Sequence, residues 1–124
     1  MKQSLLSLLL IVIATFTGYT QTVKNVQARA EGNKVYIDYD LIGTTNGQKF
    51  TVELRSSIDN YTKPLVQVSG DIGEELEAGL GKTIIWNAIS EQGNFSGSVT
   101  FEVISTLTFS PLEITNPTAK SGAK

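Results

Sequence analysis

The chain contains no cysteine and no histidine in its 124 residues. The first absence removes disulfide staples. Together the two remove the usual zinc ligand sets, haem held by histidine, and the Cys-His and Ser-His routes to an activated nucleophile. Without histidine the chain also lacks the side chain best suited to moving protons near neutral pH. Carboxylate chemistry is what survives. Basic charge is scarce too: leaving out Lys2, nine basic residues stand against 12 acidic ones, a net of −3. That balance argues against nucleic acid and against an anionic membrane surface as partners.

Only one long apolar run occurs, from Leu5 to Phe16. It falls short of the about 20 residues that a helix needs to cross roughly 30 Å of hydrocarbon. With Lys2 before it and Gly18-Tyr19-Thr20 after it, the run reads as a secretory signal peptide over residues 1–20. Cleavage is expected between Thr20 and Gln21, with Thr22 as the alternative. No cysteine follows the run, so a lipid anchor is not expected. The product is then secreted, periplasmic or held at the cell envelope, with no stable membrane insertion after cleavage. Its core must hold the fold alone, and about a hundred residues can do so by burying roughly 60–65% of the unfolded surface.

Helical periodicity is missing from residues 21–124. In KVYIDYDLI, residues 34–42, Val35, Ile37, Tyr39 and Leu41 fall on one face and Tyr36, Asp38 and Asp40 on the other. KFTVELRS, residues 49–56, repeats the alternation with Phe50, Val52 and Leu54 inward. Between them GTTNGQ carries Asn46-Gly47, so the spacing predicts a β-hairpin over residues 34–56. Upstream, Val26, Ala28 and Ala30 mark a first strand ended by a turn at Glu31-Gly32-Asn33. Downstream, short strands are expected at Leu65–Val68 and Lys82–Ala88, then a long one, SVTFEVISTL, with Val99, Phe101, Val103 and Leu107 inward. Turn signals recur roughly every eight to twelve residues, the pattern of an antiparallel β-sandwich, with six to seven strands over residues 21–109. Ser110-Pro111 breaks the pattern, and residues 110–124 read as a linker or as the start of a second, truncated β module.

The stretch GLGKTIIW, residues 79–86, includes the Gly-Lys-Thr that ends a phosphate-binding loop. That loop needs a glycine five positions before Gly81, where this chain has Leu76, and it needs a helix after the threonine. Ile84, Ile85 and Trp86 are strand-forming instead. A nucleotide is therefore not expected.

Taken in order, YDL (39–41), VSGDIG (68–73), AGLGKTIIWNA (78–88) and VTFEV (99–103) resemble an immunoglobulin-like, fibronectin-type-III-like module of exported bacterial proteins. In that family a Ser-x-Asp turn matches Ser57-Ile58-Asp59, a Ser-Gly-Asp-x-Gly turn matches Ser69 to Gly73, and a glycine, lysine and tryptophan stretch matches Gly79 to Trp86. The resemblance covers residues 23–107. It implies an Ig-like sandwich with no catalytic residue, standing before a neighbouring domain. Ala78-Gly79 departs from the Pro-Gly usual there. LEITNPTAKSGAK, residues 112–124, is similar to the opening of a Ser/Thr-rich, cell-wall-type Ig-like domain.

Three residues are candidates for ligand contact: Tyr36, Tyr61 and Trp86. Trp86 could stack on a sugar or pack between sheets, and the second is the common fate of a tryptophan in a sandwich. Tyr36 faces away from Tyr39 on the same strand. The acidic group Asp71, Glu74, Glu75 and Glu77 lacks the spacing of a calcium loop and reads as a solvated turn. Asp38 and Asp40 share a strand face about 7 Å apart, which suits a glycosidase pair only if a cleft stands over them. The expectation is an exported module that is not an enzyme, with no cofactor or metal. It would serve as a spacer, scaffold or recognition domain for a neighbouring domain or an envelope protein. The alternatives are a carbohydrate-binding module taking polysaccharide, or an accessory domain of a larger secreted enzyme.

Overall fold

The computed structural model describes residues 22–94 and 96–112, together with the backbone course of residues 10–15. The expected cleavage point at Thr20-Gln21 and most of the expected second module lie outside the described residues. Among the described residues there are eight strands: β1 Leu10–Thr15, β2 Val23–Glu31, β3 Lys34–Leu41, β4 Lys49–Ser56, β5 Val68–Gly70, β6 Gly73–Leu76, β7 Gly79–Asn87 and β8 Gly97–Phe109. A 3-10 turn at Ser57–Asp59 follows β4, and a short helix α1, Ala88–Gln92, follows β7. The strands form two four-stranded sheets, ordered β1-β8-β4-β6 and β2-β3-β7-β5. Among the described residues every pairing is antiparallel except β1 with β8. The fold is the expected all-β sandwich.

Alternation builds the core. Val35, Ile37, Tyr39 and Leu41 of β3 and Ile84 and Trp86 of β7 face Phe50, Val52 and Leu54 of β4 and Val99, Phe101 and Val103 of β8, all buried. Each large side chain so placed contributes about 1.5–3 kcal/mol. The hydroxyl of Tyr39 stays satisfied inside by donating to the Asp71 carbonyl at 2.6 Å. Burial raises its pKa above the ordinary phenol value, helped by the nearby Asp71 charge.

The predicted hairpin over residues 34–56 does not form. β3 and β4 lie in different sheets, and the chain between them crosses from one layer to the other. An Asn-Gly hairpin requires the two strands to meet directly at that dipeptide, whereas seven residues, 42–48, separate these strands. The buried Gln48 side chain organises the crossing, its Oε1 accepting from the backbone N–H of Thr44 at 2.9 Å and of Thr45 at 3.3 Å. The true hairpin joins β2 to β3 through Gly32-Asn33, with Gly32 at φ 62 and Glu31 opposite Lys34.

Three further expectations shift. Along β2 the buried residue is Val23, Val26 and Ala28 are partly buried, and Ala30 is exposed. A register shift between Lys24 and Gln27, with Asn25 at φ 55, changes which side chains point inward. Residues 65–67 are not strand, and β5 begins only at Val68. Leu107 is 48% exposed although it pairs with the buried Phe50. β1 ends opposite Glu102, so beyond that point β8 has a described neighbour on its β4 side alone.

Candidate functional site

The Gly-Lys-Thr stretch sits in β7, on a bulge. The β3–β7 register jumps from Tyr39↔Lys82 to Leu41↔Gly79, Gly81 has φ 69, and Leu80 is left 75% exposed. Three of the donors that a phosphate would use are already held by carboxylates. Gly81 N–H donates to Asp40 Oδ1 at 2.8 Å, Thr83 N–H to Asp71 Oδ2 at 2.9 Å, and the Thr83 hydroxyl to Asp38 Oδ1 at 2.7 Å. An incoming anion would have to displace three carboxylates and then remain beside them.

The same bonds use up the imagined acid/base pair. Asp38 also accepts from Arg29 Nη1 at 2.5 Å, and Asp40 from Asn25 Nδ2 at 2.7 Å. The Gly81 N–H, and after it the Asn25 amide, hold the Asp40 carboxyl below its ordinary value of 3.8. A group whose pKa is lowered by folding stabilises the protein above its unfolded pKa, and that contribution fades as pH falls through the folded value. The expected outcome is that Asp40→Asn flattens part of the decline in thermal midpoint below about pH 4, measured by melts from pH 7 to pH 2. An unchanged acid limb would count against the Gly81 contact.

Tyr36, Tyr61 and Trp86 do not form one surface. Tyr36 is half-buried on the outer face of β3, with the Arg29 guanidinium 5.1 Å above its ring. Tyr61 lies in the connection leaving β4, half-buried and at φ 60 directly after Asn60 at φ 60. Arg55 Nη1 holds this left-handed pair by donating to the carbonyls of Tyr61 at 3.0 Å and Thr62 at 3.2 Å. Trp86 is in the core, 1% exposed, and meets Phe101 edge-on at 5.5 Å and 72°. Of its two readings, the packed one describes its position, and its faces are not open to a ligand.

Sequence reasoning missed Glu91. From α1 its Oε1 accepts from Trp86 Nε1 at 2.9 Å, from Gln67 N–H at 2.9 Å and from Val66 N–H at 3.0 Å, with Oε2 3.2 Å from the same Val66 nitrogen. One carboxylate thus ties the helix, the approach to β5 and the core tryptophan together. A buried indole N–H demands an acceptor, which was the available signal. Which carboxylate supplies it depends on the turn of α1, where Asn87 caps Ser90 N–H at 3.3 Å. Glu91→Ala should cost about 2 kcal/mol, since charge-assisted bonds are lost and three donors are left to find water. Urea denaturation measures it; a change within error would remove the tie.

The acidic group is dispersed. Asp71 serves Thr83, Glu77 pairs with Lys49 at 2.7 Å, and Glu74 and Glu75 are exposed on β6. Among the described residues no three carboxylates gather where they could hold a metal ion. Two hollows among the described residues are shallow and polar: one of about 240 Å³ lies between the 43–48 crossing and Glu77-Ala78, and one of about 210 Å³ lies beside Gln67, Ser69 and Asn87. Among the described residues no helix is long and apolar enough to cross a membrane. A scan against family models found no match, and searches of curated proteins and of solved structures found none either.

Proposed function

We propose that this chain is a non-catalytic, exported β-sandwich module of the Ig-like, fibronectin-type-III-like kind, serving as a spacer, scaffold or recognition domain in a secreted or cell-envelope protein. The observation that carries the reading is how the polar side chains are used. Asp38, Asp40, Asp71 and Glu91 each accept hydrogen bonds that join separate strands or loops. A catalytic carboxylate has to face a pocket with capacity to spare for substrate, whereas these are occupied in fastening the fold. The covering of Tyr36 by Arg29 and the burial of Trp86 weigh against a sugar-stacking platform. Export is supported by the run Leu5 to Phe16 with Lys2 ahead of it.

The test is export and inertness together. Expressed with its own amino terminus in a bacterium, the chain should be recovered from the periplasm or medium beginning at Gln21 or Val23, and it should unfold in one cooperative transition. It should bind no ATP, with Lys82→Ala making no difference. Retention in the cytoplasm with Met1 intact would contradict export, and ATP binding abolished by Lys82→Ala would contradict a non-catalytic module.

A further inference from the structure

The one parallel pairing among the described residues, β1 with β8, is made by a segment whose sequence marks it for removal. Leu10–Thr15 lies along β8 with Leu10 opposite Gly97 and Thr15 opposite Glu102. It also runs beside β2 of the other sheet, so it closes the side of the sandwich between β2 and β8. Yet the same six residues, LIVIAT, belong to the stretch whose sequence directs export and removal.

We infer that the edge of β8 from Gly97 to Glu102 is a strand-acceptor site, filled in the precursor by Leu10–Thr15 and opened by its removal. Its partner is an extended, uncharged, β-branched segment of about six residues that another polypeptide donates in parallel. This rests on the reading of the domain as an exported recognition module and says which surface does the recognising.

Three observations carry it. First, the site is built for a strand: Val99 and Phe101, fully buried, lie in the part of β8 that β1 covers, so an open edge would uncover core as well as backbone. Second, the other edges carry guards and this one does not. β2 has its irregularity at Asn25 with Lys24 and Arg29 alongside, β6 is four residues with Glu74 and Glu75 exposed, and β5 is three residues long. Exposed edges are ordinarily blunted by charge, proline, bulges or shortness. GSVTFE, residues 97–102, has none of these before Glu102. Third, the occupant's chemistry is on view: the strand that fits carries no charge at any of its six positions and runs parallel to β8. Parallel addition leaves the donor free to enter from the Gly97 end, which a tight turn from β8 itself could not do.

The amide directions supply a readout. Thr100 N–H points to the β4 side, donating to Ser57 Oγ at 2.9 Å. Successive amides of a strand alternate, so those of Val99 and Phe101 point toward β1. The experiment folds the full chain with a protease site placed within residues 16–21, cuts it, separates residues 1–15, and follows amide exchange by NMR. After cutting, Val99 and Phe101 should exchange at least tenfold faster while Thr100 is unchanged. A peptide of residues 9–16 added in trans should restore the protection, and the same peptide with Val12→Lys should not. A spin label on the peptide's amino end should broaden Gly97 rather than Glu102. If the cut chain fails to fold, the uncut Ile13→Pro variant, which loses the ladder N–H opposite Thr100, should show the same local exposure and the same rescue. Exchange unaltered by cutting, or exposure that the peptide fails to rescue, would overturn the proposal. So would protection of the cut chain that disappears when residues 113–124 are deleted, because the chain's own tail would then be the occupant. Protection that appears only at high protein concentration, with dimers, would overturn it in favour of a second copy. All of these outcomes leave export and inertness, tested separately, where they stand.

Discussion

Trp86→Ala should lower unfolding stability by about 3–5 kcal/mol, the range for emptying the site of a large aromatic side chain in a core. The indole is 1% exposed and stands edge-on to Phe101, so its removal opens a void between the two sheets and also strips one donor from Glu91. A domain of this size has roughly 5–15 kcal/mol in all, and this one has no disulfide to restrain its unfolded state. The loss is therefore a large share of the total. Trp86→Phe separates the two parts: it keeps a ring in the core and removes the N–H, at about 1–2 kcal/mol for the bond and somewhat more for lost volume. Urea denaturation with tyrosine fluorescence measures both variants. A cost for Trp86→Ala below that of Trp86→Phe would mean that the ring does not hold the sheets together.

Gly70→Ala should cost about 3 kcal/mol or more, by the mechanism of forced backbone strain. Gly70 has φ 89, and a Cβ built there meets the Thr83 carbonyl oxygen at 2.5 Å and Ile84 Cα at 3.6 Å. Both neighbours are backbone of β7, so no rotamer change relieves the clash. β5 must move off β7. That motion breaks the bond from Asp71 N–H to Thr83 O at 2.8 Å, and it draws away the Asp71 carboxylate that holds Thr83 N–H. The comparison variant is Gly32→Ala, where φ is 62 and nothing lies within 4 Å of the new Cβ. Only the left-handed backbone penalty of about 1–2 kcal/mol applies there. Equal losses at the two positions would show that contact with β7 adds nothing to backbone strain.

Both effects depend on relations that the sequence announces unevenly. Alternation placed Val35, Ile37, Tyr39 and Leu41 in the core, and likewise Phe50, Val52 and Leu54, because a two-residue period has one physical reading wherever one face is dry. Asn46-Gly47 misled because a turn dipeptide reports a local bend and is silent about whether the strands beyond it pair with each other. Leu107 misled because alternation says which face a side chain takes and not whether anything covers it there: it pairs with the buried Phe50 and is still 48% exposed. Glu91 was illegible for a related reason: its three donors come from residues 66, 67 and 86, and nothing local to AISEQ marks them.

The amino-acid sequence by itself determined the all-β class, the inward faces of β3, of β4 and of β8 as far as Val103, and the absence of thiol and imidazole chemistry. Composition and side-chain period are local properties that survive any arrangement of the strands. The tertiary structure decided which strands are neighbours: β3 with β7 rather than β4, β8 between β1 and β4, and carboxylates of β3, the β5–β6 connection and α1 set upon backbone donors elsewhere. Those choices follow from how two sheets bury their apolar faces at once, a condition on the whole chain that no window of residues contains.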